Sequence, residues 1–174
     1  TLSLILPAFG AAIIAALAQI VIPIGAVPIT LQTFAVGLVA AILKPREATL
    51  AATLYLILGA IGLPVFAGGG GGLQAFFGPS AGYLLAYPFF ALVTSALAHA
   101  KTPIWKIFLA FVLGDALVFI GGILSLHFLG KMGWSAAVAV GLTPFIIPDL
   151  LKGLIVALVT KPVLKALKNH SYFN

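Results

Sequence analysis

Asp149 and Lys152 are two oppositely charged residues inside an apolar stretch that is long enough to cross a bilayer. Because they are three positions apart, they share one face of a helix, and Pro148 predicts a kink or a local opening of the backbone just before them. A charge at the centre of such a helix costs about 2.5–3.5 kcal/mol on insertion scales, so these residues usually face the interior of a bundle. The pair suits a ligand that offers both N–H donors and an anionic group, although the two side chains could also do no more than neutralise each other.

A third ionisable residue, Asp115, lies within the apolar stretch at about residues 106–128. At a rise of about 1.5 Å per residue, it lies at nearly the same depth in the membrane as Lys152. We therefore expect Asp115 to neutralise Lys152, or to be protonated and hydrogen-bonded, in preference to contacting a ligand directly.

The other chemically active residue types do not form a catalytic arrangement. The chain has no cysteine, and His99, His127 and His170 are too scattered to indicate a metal site. No serine has a neighbouring base within a recognisable motif. The sequence also lacks the series of intramembrane carboxylates that a proton-driven transporter often has. We expect a protein that is not an enzyme, needs no metal or cofactor, and depends on an energy source located on another polypeptide.

Residues 68–72 are a run of five glycines. A phosphate-binding loop would close with Gly-Lys-Ser or Gly-Lys-Thr before a helix, whereas this run ends in Leu73 and Gln74, so nucleotide binding is disfavoured. The run is either a flexible loop tip or a place where backbone without Cβ atoms approaches a ligand closely. The aromatic flanks, Phe66 and Phe76, keep the second interpretation open.

The composition places these residues in a membrane. Of the 174 residues, 63% are hydrophobic and 7% charged, where a soluble domain has roughly 25% charged residues. The net charge of +6 comes from too few cations to neutralise a row of phosphates, which excludes a nucleic-acid-binding protein. We predict an all-α, polytopic membrane protein in which residues 1–174 form a single transmembrane substrate-binding domain.

Breaks at proline, glycine and charged residues divide the chain into six transmembrane segments. They cover about residues 2–22, 32–43, 47–63, 80–98, 106–128 and 144–167. Residues 135–140 add a short interfacial helix between the fifth and the sixth segment.

The cations predict the orientation, because lysine and arginine are retained on the cytoplasmic side. With both chain ends inside, the outer loops hold only Lys131. The inner loops then hold the other loop cations, which are Lys44, Arg46, Lys101, Lys106, Lys161, Lys165 and Lys168. We therefore predict a multi-pass protein of the cell membrane with its N- and C-termini in the cytoplasm.

Two of the outer loops are unusually apolar. Loop one, residues 23–31, and loop three, residues 64–79, contain no charged residue. Irregular backbone at membrane depth is tolerated only where it is buried in protein or lines a cavity, since its N–H and C=O groups need partners. Both loops are therefore expected to fold over a pocket that is open to the outside.

Three stretches are similar to motifs of one transporter family: VPITLQTF at residues 27–34, GAIGLPVFAGG at 59–69 and GPSAGYL at 78–84. The stretch PFIIPDLLK at 144–152 is similar to the family's final motif. In order and spacing the chain resembles the BioY family, the biotin-binding S components of energy-coupling-factor (ECF) transporters. The resemblance covers all six segments.

This resemblance implies an S-component bundle that captures biotin on the outer side and docks onto a transmembrane coupling subunit with two ABC ATPases. Asp149 and Lys152 would then contact biotin, with loops one and three closing over it. A carboxylate can accept the ureido N–H donors, and an ammonium can neutralise the valerate anion. Gly68 and Gly69 of loop three are also expected to bind the ligand, and Gln74, Phe76, Tyr83 and Tyr87 are weaker candidates for the lining.

The first segment contains two overlapping pairs of small residues at a spacing of four, made by Ala11, Ala12, Ala15 and Ala16. Such pairs let another helix approach closely, either within the same bundle or from a partner. The resemblance favours a docking face for the coupling subunit.

Other functions stay open at this point. They are a stand-alone facilitator, an S component for another small vitamin, and a structural subunit without a ligand. A facilitator should show a continuous polar lining, whereas only three ionisable groups lie inside the membrane. A structural subunit would leave Asp149 and Lys152 without a role.

Overall fold

The computed structural model describes residues 1–25 and 27–174, and most of them are helical. The α-helices are α1, Leu2–Leu17; α2, Gln32–Ile42; α3, Pro45–Ala60; α4, Ala81–Leu97; α5, Ile104–Phe128; α6, Trp134–Gly141; and α7, Ile146–Leu167. An antiparallel hairpin of β1, Val21–Ile22, and β2, Ile29–Thr30, joins α1 to α2. Short 3-10 turns occupy Ala67–Gly69, Leu73–Phe76, Thr143–Phe145 and Ser171–Phe173.

Each of the six predicted segments contains one α-helix, and α6 matches the short helix expected at residues 135–140. The first segment is the least accurate prediction, because α1 ends at Leu17 and not near residue 22. The residues beyond it turn back to pair Val21 with Thr30 and Ile22 with Ile29. Apolar residues continue through this region, so hydropathy alone gave no reason to end the helix.

Two helical stretches, Ile104–Phe128 and Trp134–Leu167, are both long enough and apolar enough to cross a bilayer by themselves. The apolar helices α1, α2 and α4 are shorter. Large apolar side chains nevertheless face outward around the bundle; Leu4 is 76% exposed and Ile147 is 79% exposed. An apolar surface of this kind fits lipid surroundings and would be a liability in water.

The helices pack closely because aromatic rings and neighbouring backbones lie against glycines, which have no side chain. The Phe90 and Phe111 rings are both fully buried and meet edge to face, with centroids 5.2 Å apart. Where α4 meets α5, a Cβ atom on Gly82 would overlap the carbonyl group of Gly121. The two backbones therefore touch, which fixes the position of α4 against α5.

The two ends of the bundle are built differently. The hairpin, loop three and the start of α7 gather at one end, where the Gly68 N–H donates to the Ala18 carbonyl oxygen over 3.2 Å. At the other end, the Tyr172 hydroxyl donates to Glu47 over 2.9 Å and accepts from the Lys44 N–H over 2.9 Å. Burial raises the pKa of Tyr172 to about 12, with a further contribution from its hydrogen bond to Glu47.

Candidate functional site

A cavity of about 340 Å³ opens at the hairpin end of the bundle. Small-molecule sites are concave, mostly apolar and of roughly 300–1,000 Å³, so this cavity has the size of a site for one small ligand. Its lining comes from loop one, the start of α2, loop three, and one face each of α4, α5 and α7. The lining residues are Val27, Pro28, Thr30, Gln32, Thr33, Phe66, Ala67, Gly70, Gly71, Gln74, Ala75, Ser80, Tyr83, Leu84, Tyr87, Val118, Phe119, Phe145, Asp149 and Lys152.

Asp149 and Lys152 form an ion pair in the cavity wall. The Lys152 Nζ lies 2.7 Å from Asp149 Oδ1, and the two residues are 8% and 4% exposed. Among residues 1–25 and 27–174 this is the only ion pair closer than 4.0 Å. The first turns of α7 place both side chains on one face, as the spacing of three predicts.

The Lys152 ammonium also holds loop one. It donates to the Thr30 carbonyl oxygen over 2.7 Å and to the Thr33 hydroxyl over 3.1 Å. Besides the ion pair with Asp149, the ammonium thus makes two hydrogen bonds, to Thr30 and to Thr33. Lys152 therefore ties α7 to the end of the hairpin and to the start of α2.

A chain of hydrogen bonds runs from Thr30 through Gln32 to Tyr55. The Thr30 hydroxyl donates to Gln32 Oε1 over 3.0 Å, and the Gln32 amide donates to the Tyr55 hydroxyl over 2.8 Å. Gln32 is 5% exposed and Tyr55 is fully buried, so the chain of bonds fixes the side-chain orientations at the cavity edge. Thr30, Gln32 and Thr33 were not among the predicted site residues, although the polar run TLQT at 30–33 before an apolar helix was a usable signal.

Aromatic side chains also line the cavity. Tyr83 and Tyr87 line the cavity as predicted, and the Tyr83 hydroxyl donates to the Gly141 carbonyl oxygen over 2.6 Å. Phe66 also lines it, whereas Phe76 does not line the cavity and packs edge to face on Phe66 at 5.7 Å between centroids. The expected lining role of Phe76 is therefore corrected to that of a support behind Phe66.

Loop three approaches the cavity through glycines other than the predicted ones. Gly70 and Gly71 line the cavity, together with Gln74, while Gly68 and Gly69 do not. Gly68 has φ 64° and Gly69 has φ 87°, backbone conformations that favour glycine, and they turn the loop toward the end of α1. Gly68 and Gly69 are thus turn-forming residues outside the cavity lining, and their contact with the ligand stays a prediction.

Asp115 lies beside Asp149 and outside the cavity lining. It is 5% exposed, and its Oδ1 has no hydrogen-bond partner among the residues that the structure describes. The Lys152 donors reach Asp149, Thr30 and Thr33 and not Asp115. Of the two alternatives expected for Asp115, an ion pair with Lys152 is not found among the described residues, and the protonated, hydrogen-bonded form stays a prediction.

The four alanines of the predicted docking face do not share one surface. Ala12 and Ala16 are exposed, Ala15 is half-buried, and Ala11 is 1% exposed. Helical geometry explains the division, because residues four apart lie on the same face while adjacent residues are rotated by about 100°. Only Ala12 and Ala16 remain fully available to a partner, and Ala11 packs within the bundle.

The model of the BioY family matches residues 1–169. The biotin transporter BioY2 of Lactococcus lactis subsp. cremoris is 43% identical over 173 residues, covering 98% of this chain and 95% of the relative. The biotin transporter BioY of Thermotoga maritima is 39% identical over 142 residues, covering 82% and 83%. Among solved structures, the S-component for biotin from an ECF-type ABC transporter superposes with a TM-score of 0.87 at 28% identity, covering 99% of this chain and 95% of that one.

Proposed function

This chain belongs to the BioY family, and from that membership we propose that it captures biotin and delivers it across the membrane as the substrate-binding S component of an ECF transporter. The observation that carries the proposal is the small, largely apolar cavity with the Asp149–Lys152 pair in its wall. Such a site combines apolar walls for a ring system with a few fixed polar groups that orient it.

Biotin fits this division of the cavity. Its fused rings carry a ureido group with two N–H donors and one carbonyl acceptor, and its flexible tail ends in a carboxylate. Asp149 can accept a ureido N–H, since a carboxylate has several acceptor positions and Lys152 uses only one of its oxygens. Tyr83, Tyr87 and Phe66 supply the apolar wall against which the rings pack.

The ion pair favours a neutral ligand group at the buried end. Asp149 and Lys152 balance each other, and Lys152 already donates to Thr30 and Thr33. A ligand carboxylate placed there would leave a net buried charge, which is costly. We therefore place the ureido end near Asp149 and the valerate carboxylate at the mouth, beside the exposed residues Gln74 and Ser80. This assignment reverses the partner that the sequence suggested for the carboxylate.

Loops one and three act as the cover of the cavity. Lys152 holds loop one through Thr30, while the Gln19 side chain donates to the Phe66 carbonyl oxygen of loop three over 3.3 Å. A ligand that changes the contacts of Lys152 thereby changes the support of loop one. Ligand binding and closure of the cover are linked in this way.

In the membrane, α1 to α5 and α7 form six crossings, with both chain ends in the cytoplasm and the cavity facing outward. The support is the excess of lysines at the end opposite the cavity. Eleven residues of α2 measure about 16 Å, roughly half of a hydrocarbon core of about 30 Å. The hairpin completes that crossing, and its strands pair Val21 with Thr30 and Ile22 with Ile29.

Uptake requires partners that supply the energy. They are a transmembrane coupling subunit and two ABC ATPases, and the exposed face of α1 with Ala12 and Ala16 docks onto the coupling subunit. The chain itself has no enzymatic role in this scheme, and biotin is a transported ligand and not a cofactor.

Equilibrium binding of labelled biotin to the purified protein in lipid nanodiscs tests the proposal. We expect saturable binding that unlabelled biotin displaces and that riboflavin and thiamine do not. Displacement by another vitamin in place of biotin would contradict the ligand assignment. In proteoliposomes, biotin uptake should require the coupling subunit and ATP, and equal uptake without them would indicate a stand-alone facilitator.

A further inference from the structure

Three lysines near the end of α7 line an open groove at the end of the bundle opposite the biotin cavity. Lys161, Lys165 and Lys168 are spaced by four and three residues and share one helix face. With Ala100, Pro162 and Leu164 they enclose about 510 Å³. We call these three residues the α7 lysines.

A second groove adjoins the first. It encloses about 340 Å³ and shares Ala100 and Leu164 with the first, and it adds Lys44 and Lys101 to the cationic rim. Leu164 is 6% exposed, so the shared floor is apolar and buried. Together the two grooves form one basic recess with an apolar floor.

Among the described residues, no acidic side chain lines either groove. The chain has three acidic residues, of which Asp115 and Asp149 lie at the biotin cavity and Glu47 accepts the Tyr172 hydroxyl. None of the α7 lysines has a carboxylate within 4.0 Å among the residues described on either side of position 26. Lys161 donates to the Ala100 carbonyl oxygen over 3.2 Å, which holds its ammonium at the groove.

An exposed apolar stripe leads into the α7 lysines. Leu151, Leu154 and Leu158 are 56%, 45% and 51% exposed. Their spacing continues into Lys161, Lys165 and Lys168 by alternating steps of three and four, so the whole series lies on one face of α7. The face is therefore apolar along its length and cationic at its end.

The helix dipole explains part of this arrangement. Cations are favourable in the last turn of a helix, which accounts for Lys165 and Lys168. It does not account for Lys161, nearly two turns from the helix end, or for Lys101 from a different loop. The recess thus combines lysines at its rim with an apolar floor and an apolar stripe. A ligand with one anionic group and long apolar chains would complement both.

We propose that this recess binds the headgroup of an anionic phospholipid, with the phosphate on the α7 lysines and an acyl chain along Leu154 and Leu158. Juxtamembrane basic pockets attract anionic lipids in this way. A free phosphate would match the lysines and leave the apolar stripe unexplained. An acidic segment of a protein would match the lysines equally, but the stripe runs into the depth of the bilayer, where acyl chains lie.

The test measures retention of phosphatidylglycerol and phosphatidylcholine by the full chain in detergent, using labelled lipids. The variant carries Lys161→Gln, Lys165→Gln and Lys168→Gln together. Its matched control carries Arg46→Gln, Lys106→Gln and Lys131→Gln, which change the net charge equally and line neither groove. Each lysine near an anionic lipid contributes roughly 5-fold, so we expect phosphatidylglycerol retention to fall on the order of 100-fold in the variant. The control should retain it, and phosphatidylcholine should bind weakly throughout.

Biotin binding by the variant should be unchanged, which separates this inference from the proposed function and verifies the fold. A variant with arginine at the three positions keeps the charge and should keep phosphatidylglycerol, so its failure to do so would overturn the proposal. An equal loss in the control, equal retention of both lipids, or displacement by millimolar inorganic phosphate as effective as by lipid would also overturn it. So would unchanged lipid retention combined with loss of coupling-subunit binding, because the recess would then be a protein contact.

Discussion

Replacing Lys152 by Met would remove the counter-ion of Asp149 while keeping most of the apolar volume of the side chain. The change deletes three contacts of the ammonium: 2.7 Å to Asp149, 2.7 Å to the Thr30 carbonyl oxygen and 3.1 Å to Thr33. Breaking a buried ion pair by removing one partner costs about 3–5 kcal/mol of stability, because the remaining charge is uncompensated. We expect a loss of that size in thermal or denaturant unfolding.

Biotin binding should weaken as well. The ligand would meet an Asp149 carboxylate without its counter-ion, and loop one would lose the hydrogen bond from Lys152 that holds it. Truncating one partner of a desolvated charge pair at a binding site costs about 2–5 kcal/mol, or roughly 30-fold to several-thousand-fold in affinity. Isothermal titration of the folded fraction measures the affinity separately from the stability. Lys131→Met, in the exposed loop between α5 and α6, is the matched control and should change neither quantity.

The double variant Asp149→Asn with Lys152→Met separates binding from folding. It leaves no uncompensated charge, so much of the lost stability should return. Biotin affinity should stay low, because an amide replaces the carboxylate that accepts the ureido N–H. If the double variant regained both stability and affinity, the pair would be purely structural and the assigned biotin contacts would be wrong.

Four further results are expected. A cysteine in place of Gly70 should react with an impermeant thiol reagent on intact cells, and biotin should protect it. Pro45→Cys should react only after the membrane is opened. The reverse pattern would contradict the proposed orientation. Ala12→Trp should abolish co-purification with the coupling subunit while leaving biotin binding intact, and loss of both would mean that this position packs inside the bundle. Gly82→Ala should destabilise the protein by about 1–3 kcal/mol in thermal unfolding, since its Cβ would overlap the backbone of α5. Because folding raises the pKa of Tyr172 from 10.0 to about 12, its contribution to stability is present below pH 10 and lost as the pH rises through 12; Tyr172→Phe should remove this dependence from pH-resolved unfolding curves.

The helices were predictable because two of their signals are local in the sequence. These are the length of each apolar run and the proline, glycine and charged residues that end it. The boundaries were less exact: α3 begins at Pro45, where the missing N–H costs nothing, and not near residue 47 as predicted. The hairpin was not predictable, because strands of two residues inside an apolar run have no periodicity to detect. The early end of α1 follows from the same limitation.

The site was predictable where the residue type alone implies a free-energy cost of burial in the membrane. Asp149 and Lys152 stand out because charged side chains inside a bilayer are costly and therefore rare unless they have a function. Gly68 and Gly69 were preferred to Gly70 and Gly71 without any sequence signal, since five identical residues do not reveal which have positive φ. Phe66 was missed as a lining residue because the sequence cannot show which of two neighbouring aromatic rings lies in front of the other.

The balanced ion pair also determines how the membrane potential acts on this protein. Asp149 and Lys152 together carry no net charge, so a field across the bilayer exerts almost no net force on the pair. The bound ligand adds a single negative charge through its carboxylate. Moving that charge inward against a potential of 100 mV, negative inside, requires about 2.3 kcal/mol. The electrical work of uptake is therefore set by the vitamin and not by its receptor, and ATP hydrolysis on the partner subunits has to supply it.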